Sequence, residues 1–105
     1  MIVLKRTLES RDPSLSGMIK KSIQCLEDIR NNSNDEKKME VVSNAISFLK
    51  KIAYARRKDM ENGTDKAQDL LGNAIDTLFN WNKKESAEDV GNVLQILDDV
   101  MVRFL

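Results

Sequence analysis

Five basic side chains and the one tyrosine of the chain lie within nine consecutive positions in its middle. Lys and Arg neutralise phosphates and an aromatic ring stacks on a base, so this composition is typical of nucleic-acid-binding surfaces. On a helix, Lys50, Tyr54 and Arg57 follow one another at i, i+4 and i+7, with Lys51 and Lys58 beside them. The solvated side of a helix near its C-terminus has the same composition. The stretch therefore predicts a phosphate-binding face or only a solvated one.

Most enzyme chemistries lack the residues they need. The chain contains no histidine, which excludes histidine general bases, histidine phosphotransfer and histidine-ligated metal sites. Its four glycines are isolated and form no phosphate-cradling loop. Asp98 and Asp99 fall on the solvent side of their helix, so they do not form an internal carboxylate site. We expect no catalytic residues, no metal and no cofactor.

The length of 105 residues predicts one globular domain, residues 1–105, because a chain this short usually forms a single core. The net charge of zero hides an asymmetry: residues 1–61 carry thirteen basic and nine acidic side chains, and residues 62–105 carry four basic and eight acidic ones.

Cys25 is the one cysteine, so no internal disulfide forms. No apolar run fits a membrane span or signal peptide, which predicts the cytoplasm, or a host cytoplasm, and no membrane partner.

Helical spacing and punctuation predict an all-α chain. Asp12 and Pro13 suit a helix start, Asn62 and Gly63 a helix end, and Ser86 the start of a last helix. The predicted helices are 13–30, 34–61, 65–83 and 87–104. Short connections place successive helices antiparallel, which predicts an up-and-down four-helix bundle with a long second helix. Residues 1–10 are predicted to form an arm or a short extra helix, packed on the overhang of the second helix or exchanged with another subunit.

The second helix has one residue that does not fit its apolar stripe. On a helical wheel centred on Leu49, the stripe comprises Val42, Ala45, Ile46, Ile52, Ala53 and Met60. Arg56 falls in the middle of this stripe, where a charge reaches the surface or pairs with a carboxylate. We interpret Arg56 as lying past the edge of the core or in an interface.

Two apolar side chains of the third helix fall outside its core stripe. Ile75 and Phe79 lie on the side of the helix away from Ala74 and share it with Gly72. Residues 1–10 cover them, or Ile75 alone lies at the boundary of the core, or the pair binds a partner. Our leading hypothesis is a non-enzymatic protein–protein interaction module, an adaptor or regulator that binds another protein, with binding to itself as a homodimer as an additional option. In this hypothesis Ile75 and Phe79 are apolar anchors, and Arg56 and Arg57 are charged specificity elements.

The alternative hypothesis is a nucleic-acid-binding helical protein. It uses the basic face of the second helix, formed by Lys50, Lys51, Tyr54, Arg57 and Lys58, and it predicts a steep dependence of binding on salt.

Overall fold

The structure, a computed structural model, describes the backbone of residues 2–104 and the side chains of residues 15–103. This part of the chain contains four α-helices and no β-strand. The helices are α1 (Ile2–Asn31), α2 (Glu36–Asn62), α3 (Lys66–Glu85) and α4 (Glu88–Phe104). The predicted all-α, four-helix architecture is confirmed.

The helices follow one another around a ring. Within the described residues, α1 packs on α2 and α4, and α3 packs on α2 and α4, while the two diagonal pairs do not approach each other. The connections are four, three and two residues long, too short to cross the bundle, so neighbouring helices are antiparallel. This is the up-and-down order that the sequence predicts.

The core is aliphatic and all four helices contribute to it. Buried Leu, Ile, Val and Ala side chains form one cluster, and Ser22 lies among them with its hydroxyl donating to the carbonyl of Met18 at 2.9 Å. The buried apolar residues are Ile19, Leu26, Val42, Ala45, Ile46, Leu49, Ile52, Ala55, Ala67, Leu71, Ala74, Leu78, Val90, Val93, Leu94, Leu97 and Val100. Burial of these stripes is the main favourable term for folding.

The stripe of α2 differs from the predicted one near its C-terminus. Ala53 is exposed and Met60 is 88% exposed, whereas Ala55 is buried. Ala53 lines a groove beside α1, while Ala55 lines a groove beside α3. The last turns of α2 therefore bury the side that faces α3. The buried stripe shifts around the helix toward its C-terminus, and a helical wheel centred on Leu49 does not predict this shift.

The first helix is longer than predicted: over residues 2–31 the backbone forms one helix, which takes in the segment predicted as an arm or short extra helix. α1 has 30 residues and α2 has 27, so α1 is the longest helix. The predicted start at Pro13 is wrong, because the helix continues through this residue. Proline removes one backbone hydrogen bond, but the residues before it include good helix formers. How the side chains of residues 1–10 pack lies outside the described residues.

It is α1, not α2, that projects beyond its neighbour. Ser16 and Arg56 line the same groove between the two helices, so they lie at about the same level. From there α2 continues for about 9 Å to Asn62, whereas α1 continues for about 21 Å to Ile2, at 1.5 Å per residue. The overhang expected for the second helix therefore belongs to the first, by about 12 Å.

One end of the bundle is closed by a contact between three helices. The ammonium of Lys38, at the start of α2, lies 2.9 Å from a carboxylate oxygen of Asp89, at the start of α4. The same ammonium lies 5.9 Å from the centre of the Trp81 ring near the end of α3. Trp81 is half-buried and packs on the core, so an aromatic ring, a cation and a carboxylate close this end together.

Leu97 and Val102 provide a matched test of the core. Leu97 is fully buried and Val102 is 70% exposed on the same helix. We expect Leu97→Ala to lower the free energy of unfolding by about 2–5 kcal/mol because it leaves a cavity. Val102→Ala should change it by less than about 0.5 kcal/mol. Urea denaturation followed by circular dichroism measures both, and equal losses would contradict this assignment of the core.

Candidate interaction surfaces

The third and fourth helices meet along a seam marked by two close approaches. A Cβ placed on Gly72 would lie 3.9 Å from the terminal methyl of Met101, and one placed on Gly91 would lie 3.7 Å from the amide nitrogen of Asn82. Residues seven apart lie on the same face of a helix. Phe79 therefore shares the face of Gly72, Ile75 shares that of Asn82, and Asp98 shares that of Gly91. We define the α3–α4 seam as Gly72, Ile75, Phe79 and Asn82 of α3 with Gly91, Asp98 and Met101 of α4.

The two predicted apolar anchors both lie in the α3–α4 seam but differ in burial. Phe79 is 55% exposed, whereas Ile75 is half-buried and packs on the core. Two carboxylates lie on the same pair of helices: Asp76 lines a shallow depression with Gly72 and Met101, and Asp98 is exposed one heptad after Gly91. The structure therefore places an exposed aromatic ring in an apolar and acidic surface.

The predicted basic face of α2 is divided between two sides of the helix. Lys50 lines the groove between α1 and α2, where its ammonium lies 4.0 Å from a carboxylate oxygen of Glu27. Arg57 is exposed and one heptad after Lys50, so it shares that flank. Lys51 and Lys58 lie on the other flank, toward α3.

We define the α2–α3 groove as the open cavity of about 550 Å³ between these helices. Ala55 and Leu70 form its apolar floor, and Tyr54, which is 61% exposed, forms a wall. The ammonium of Lys58 lies 5.7 Å from the centre of the Tyr54 ring. The remaining side chains of the groove are polar: Lys51, Asn62, Thr64, Lys66, Asp69 and Asn73.

Arg56 lies at the level of the start of α3, away from Ile75 and Phe79. It is half-buried, lines the groove beside α1, and lines a second small cavity with Ala67 and Gln68 at the start of α3. Ala67 and Phe79 are about 18 Å apart along α3, from 1.5 Å per residue. The structure thus does not bring Arg56, or its neighbour Arg57, together with the apolar pair.

The start of α3 is held by a carboxylate of α2, a contact that the sequence does not predict. One oxygen of Asp59 accepts hydrogen bonds from the hydroxyl of Thr64 at 2.5 Å and the backbone N–H of Lys66 at 3.0 Å. The other accepts from the backbone N–H of Ala67 at 2.8 Å. Asp65 occupies the N-cap position but its side chain makes no capping hydrogen bond. Asp59 therefore caps α3 across the turn.

These donors lower the pKa of the Asp59 carboxyl below its ordinary value of 3.8. The hydrogen bond from Thr64 is the largest cause, followed by the backbone N–H groups of Ala67 and Lys66 and the positive charge of Lys66, while burial acts in the opposite direction. All the favourable contacts stabilise the ionised carboxylate. The turn between α2 and α3 is thus held more firmly when Asp59 is charged.

The side chains that the structure describes include no metal-binding cluster. Across residues 15–103, no three His, Cys, Asp or Glu side chains are grouped so that they could hold a metal ion. The described helices include none long and apolar enough to cross a membrane. The α3–α4 seam and the α2–α3 groove are therefore the candidate sites.

Comparison with protein-family models, with curated proteins and with solved structures finds no match to this chain.

Asp59→Asn tests the cap, because an amide has one acceptor oxygen where the carboxylate uses two. We expect the Tm at neutral pH to fall by roughly 4–8 °C. Since the pKa of Asp59 is lowered on folding, its contribution is complete well above pH 4 and is lost as the pH falls through the folded-state pKa. The difference in Tm between the native chain and the variant should therefore shrink below about pH 4.

Asp65→Asn is the matched control, because it removes a charge from the same turn without removing a capping hydrogen bond. Its Tm should stay close to that of the native chain. An equal loss in both variants would show that the charge near the helix start, not the Asp59 hydrogen bonds, stabilises α3.

Proposed function

We propose that this chain is a non-enzymatic protein–protein interaction module that binds its partner through the α3–α4 seam. The observation that carries the proposal is the exposure of Phe79, which is 55% exposed in the folded chain while Ile75, one turn away, packs on the core. A large aromatic ring held on a rigid helix is a typical anchor of a protein interface.

Burial of Phe79 supplies the affinity. A phenylalanine side chain buries about 200 Å², so covering its exposed half gains about 2–3 kcal/mol. Ile75 sets the depth of the site because it is already held by the core. Helix packing fixes the backbone that carries both side chains before binding, so little backbone entropy is lost.

The charges around the seam select the partner. Asp76 lines the depression beside Gly72 and Met101, and the exposed Asp98 follows Gly91 by one heptad on α4; we take these two carboxylates as the charged rim of the site. Arg56 and Arg57 lie elsewhere, and the charged rim that we propose is therefore the two aspartates. A complementary partner presents an apolar side chain flanked by Lys or Arg, as on one face of a cationic amphipathic helix.

Selection from a displayed library of random helical peptides tests this proposal. We expect peptides that bind the native chain to carry apolar residues at i, i+3 or i+4 with basic neighbours, and Phe79→Asp to weaken their binding at least about tenfold. Binding is measured by fluorescence anisotropy and helical content by circular dichroism. Helical content should not change, because Phe79 is largely outside the core.

Met60→Asp is the matched control, because Met60 is 88% exposed on α2, outside the seam. Its peptide affinity should equal that of the native chain. Enrichment of acidic peptides, or equal losses in both variants, would contradict the proposal. Unfolding of Phe79→Asp would also contradict it, since Phe79 would then be a core residue.

Light scattering at several concentrations tests the homodimer hypothesis separately. If a second copy occupies the seam, the native chain should show a rising mass with concentration and Phe79→Asp should remain at 12.0 kDa. A mass of 12.0 kDa for the native chain throughout would leave the seam free for a different protein.

A further inference from the structure

The α2–α3 groove is chemically distinct from the α3–α4 seam. Three ammonium groups, from Lys51 and Lys58 of α2 and Lys66 of α3, surround an apolar floor that includes Leu70. One carboxylate, Asp69, also lines the groove. Among the lining side chains three positive charges stand against one negative, and Glu61 pairs with Lys58 at the edge; the exposed lysines therefore favour an anion that also has an apolar part.

We propose that the α2–α3 groove binds single-stranded nucleic acid, with one base placed against Tyr54 and the neighbouring phosphates at Lys51, Lys58 and Lys66. The groove volume of about 550 Å³ falls within the range of sites that hold a single small-molecule unit such as a nucleotide. Tyr54 is 61% exposed, so a base can stack on the part of its ring that the Lys58 ammonium does not cover.

Lys58 is suited to join the two parts of the ligand. Its ammonium lies 5.7 Å from the centre of the Tyr54 ring, so a phosphate bound by Lys58 is close to a base stacked on Tyr54. Its ion pair with Glu61, at 3.7 Å between exposed side chains, is weak and readily exchanged for a phosphate. The carboxylate of Asp69 repels phosphate, so we expect the phosphates to bind at the three lysines and not near Asp69.

The ligand is single-stranded because the bases of a duplex are already stacked on each other. A base must be unpaired and turned outward to lie on an aromatic side chain in a groove of this size. The division of the basic residues of α2 also matters: only Lys51 and Lys58 reach the groove, while Lys50 lies beside α1. Nucleic-acid binding through this groove is therefore sensitive to position and not only to charge.

Fluorescence anisotropy of the full chain with a labelled oligouridylate of about 12 nucleotides tests the inference, starting at about 50 mM salt. With three lysine contacts we expect a slope of about −2 for the logarithm of affinity against the logarithm of salt concentration. Raising the salt fourfold should then lower the affinity about 15- to 20-fold. No binding at about 50 mM salt would overturn the proposal.

Adjacent lysines give the matched pair of variants. Lys51→Ala and Lys66→Ala should each lower the affinity several-fold and reduce the slope by about 0.7, whereas Lys50→Ala should leave both nearly unchanged. Tyr54→Ala should weaken binding at least about fivefold, and Tyr54→Phe should retain it because the ring remains. Equal effects of Lys50→Ala and Lys51→Ala, or equal affinity for a duplex of the same length, would overturn the assignment.

Discussion

Burial of four aliphatic stripes in one core is the constraint on which the other features of this chain depend. Connections of two to four residues force neighbouring helices to be antiparallel, and the stripes then fix the rotation of each helix about its axis. Once α3 is held between α2 and α4, the residues beside its stripe are assigned to one neighbour or the other. Phe79 therefore belongs to the side shared with α4, and Leu70 to the side shared with α2.

Polar contacts at the two ends of the bundle then fix the ends of the helices. At one end Asp59 of α2 caps α3, and at the other Lys38 joins Asp89 and Trp81. Each contact joins residues of different helices, so it helps to fix the position of one helix along its neighbour, which the core packing already defines. The Asp59 cap has a functional consequence as well, because Lys66, which it holds through its backbone, also lines the α2–α3 groove.

The sequence predicts the helices well where the apolar period is unbroken. Helical spacing alone finds the buried stripes of α3 and α4, and Gly63 ends α2 in the left-handed conformation, with φ of 66°, that its residue type favours. Pro13 is misleading because proline favours a helix start but does not require one. Ser86 is misleading for a similar reason: it adopts φ of 52° at the end of α3 instead of serving only as the start of α4.

The candidate sites were less predictable, because they depend on which helix faces which. The sequence identifies Phe79 and Tyr54 as apolar or aromatic side chains outside the core, but it does not show that Lys50 and Lys51 face different grooves. Heptad spacing pairs Lys51 with Lys58 and Lys50 with Arg57, and this signal could have divided the basic face. The capping role of Asp59 has no such signal, since it acts on residues that lie beyond the helix that carries it.

The central claim is that α3 separates two binding surfaces of opposite charge, an acidic seam toward α4 and a basic groove toward α2. Backbone amide NMR shifts of the isotope-labelled chain, titrated first with a selected cationic peptide and then with the oligouridylate, test it most directly. The account predicts that the peptide shifts amides around Ile75, Phe79 and Gly91, while the nucleic acid shifts those around Tyr54 and Lys66. A single overlapping set of shifts for both ligands would contradict it.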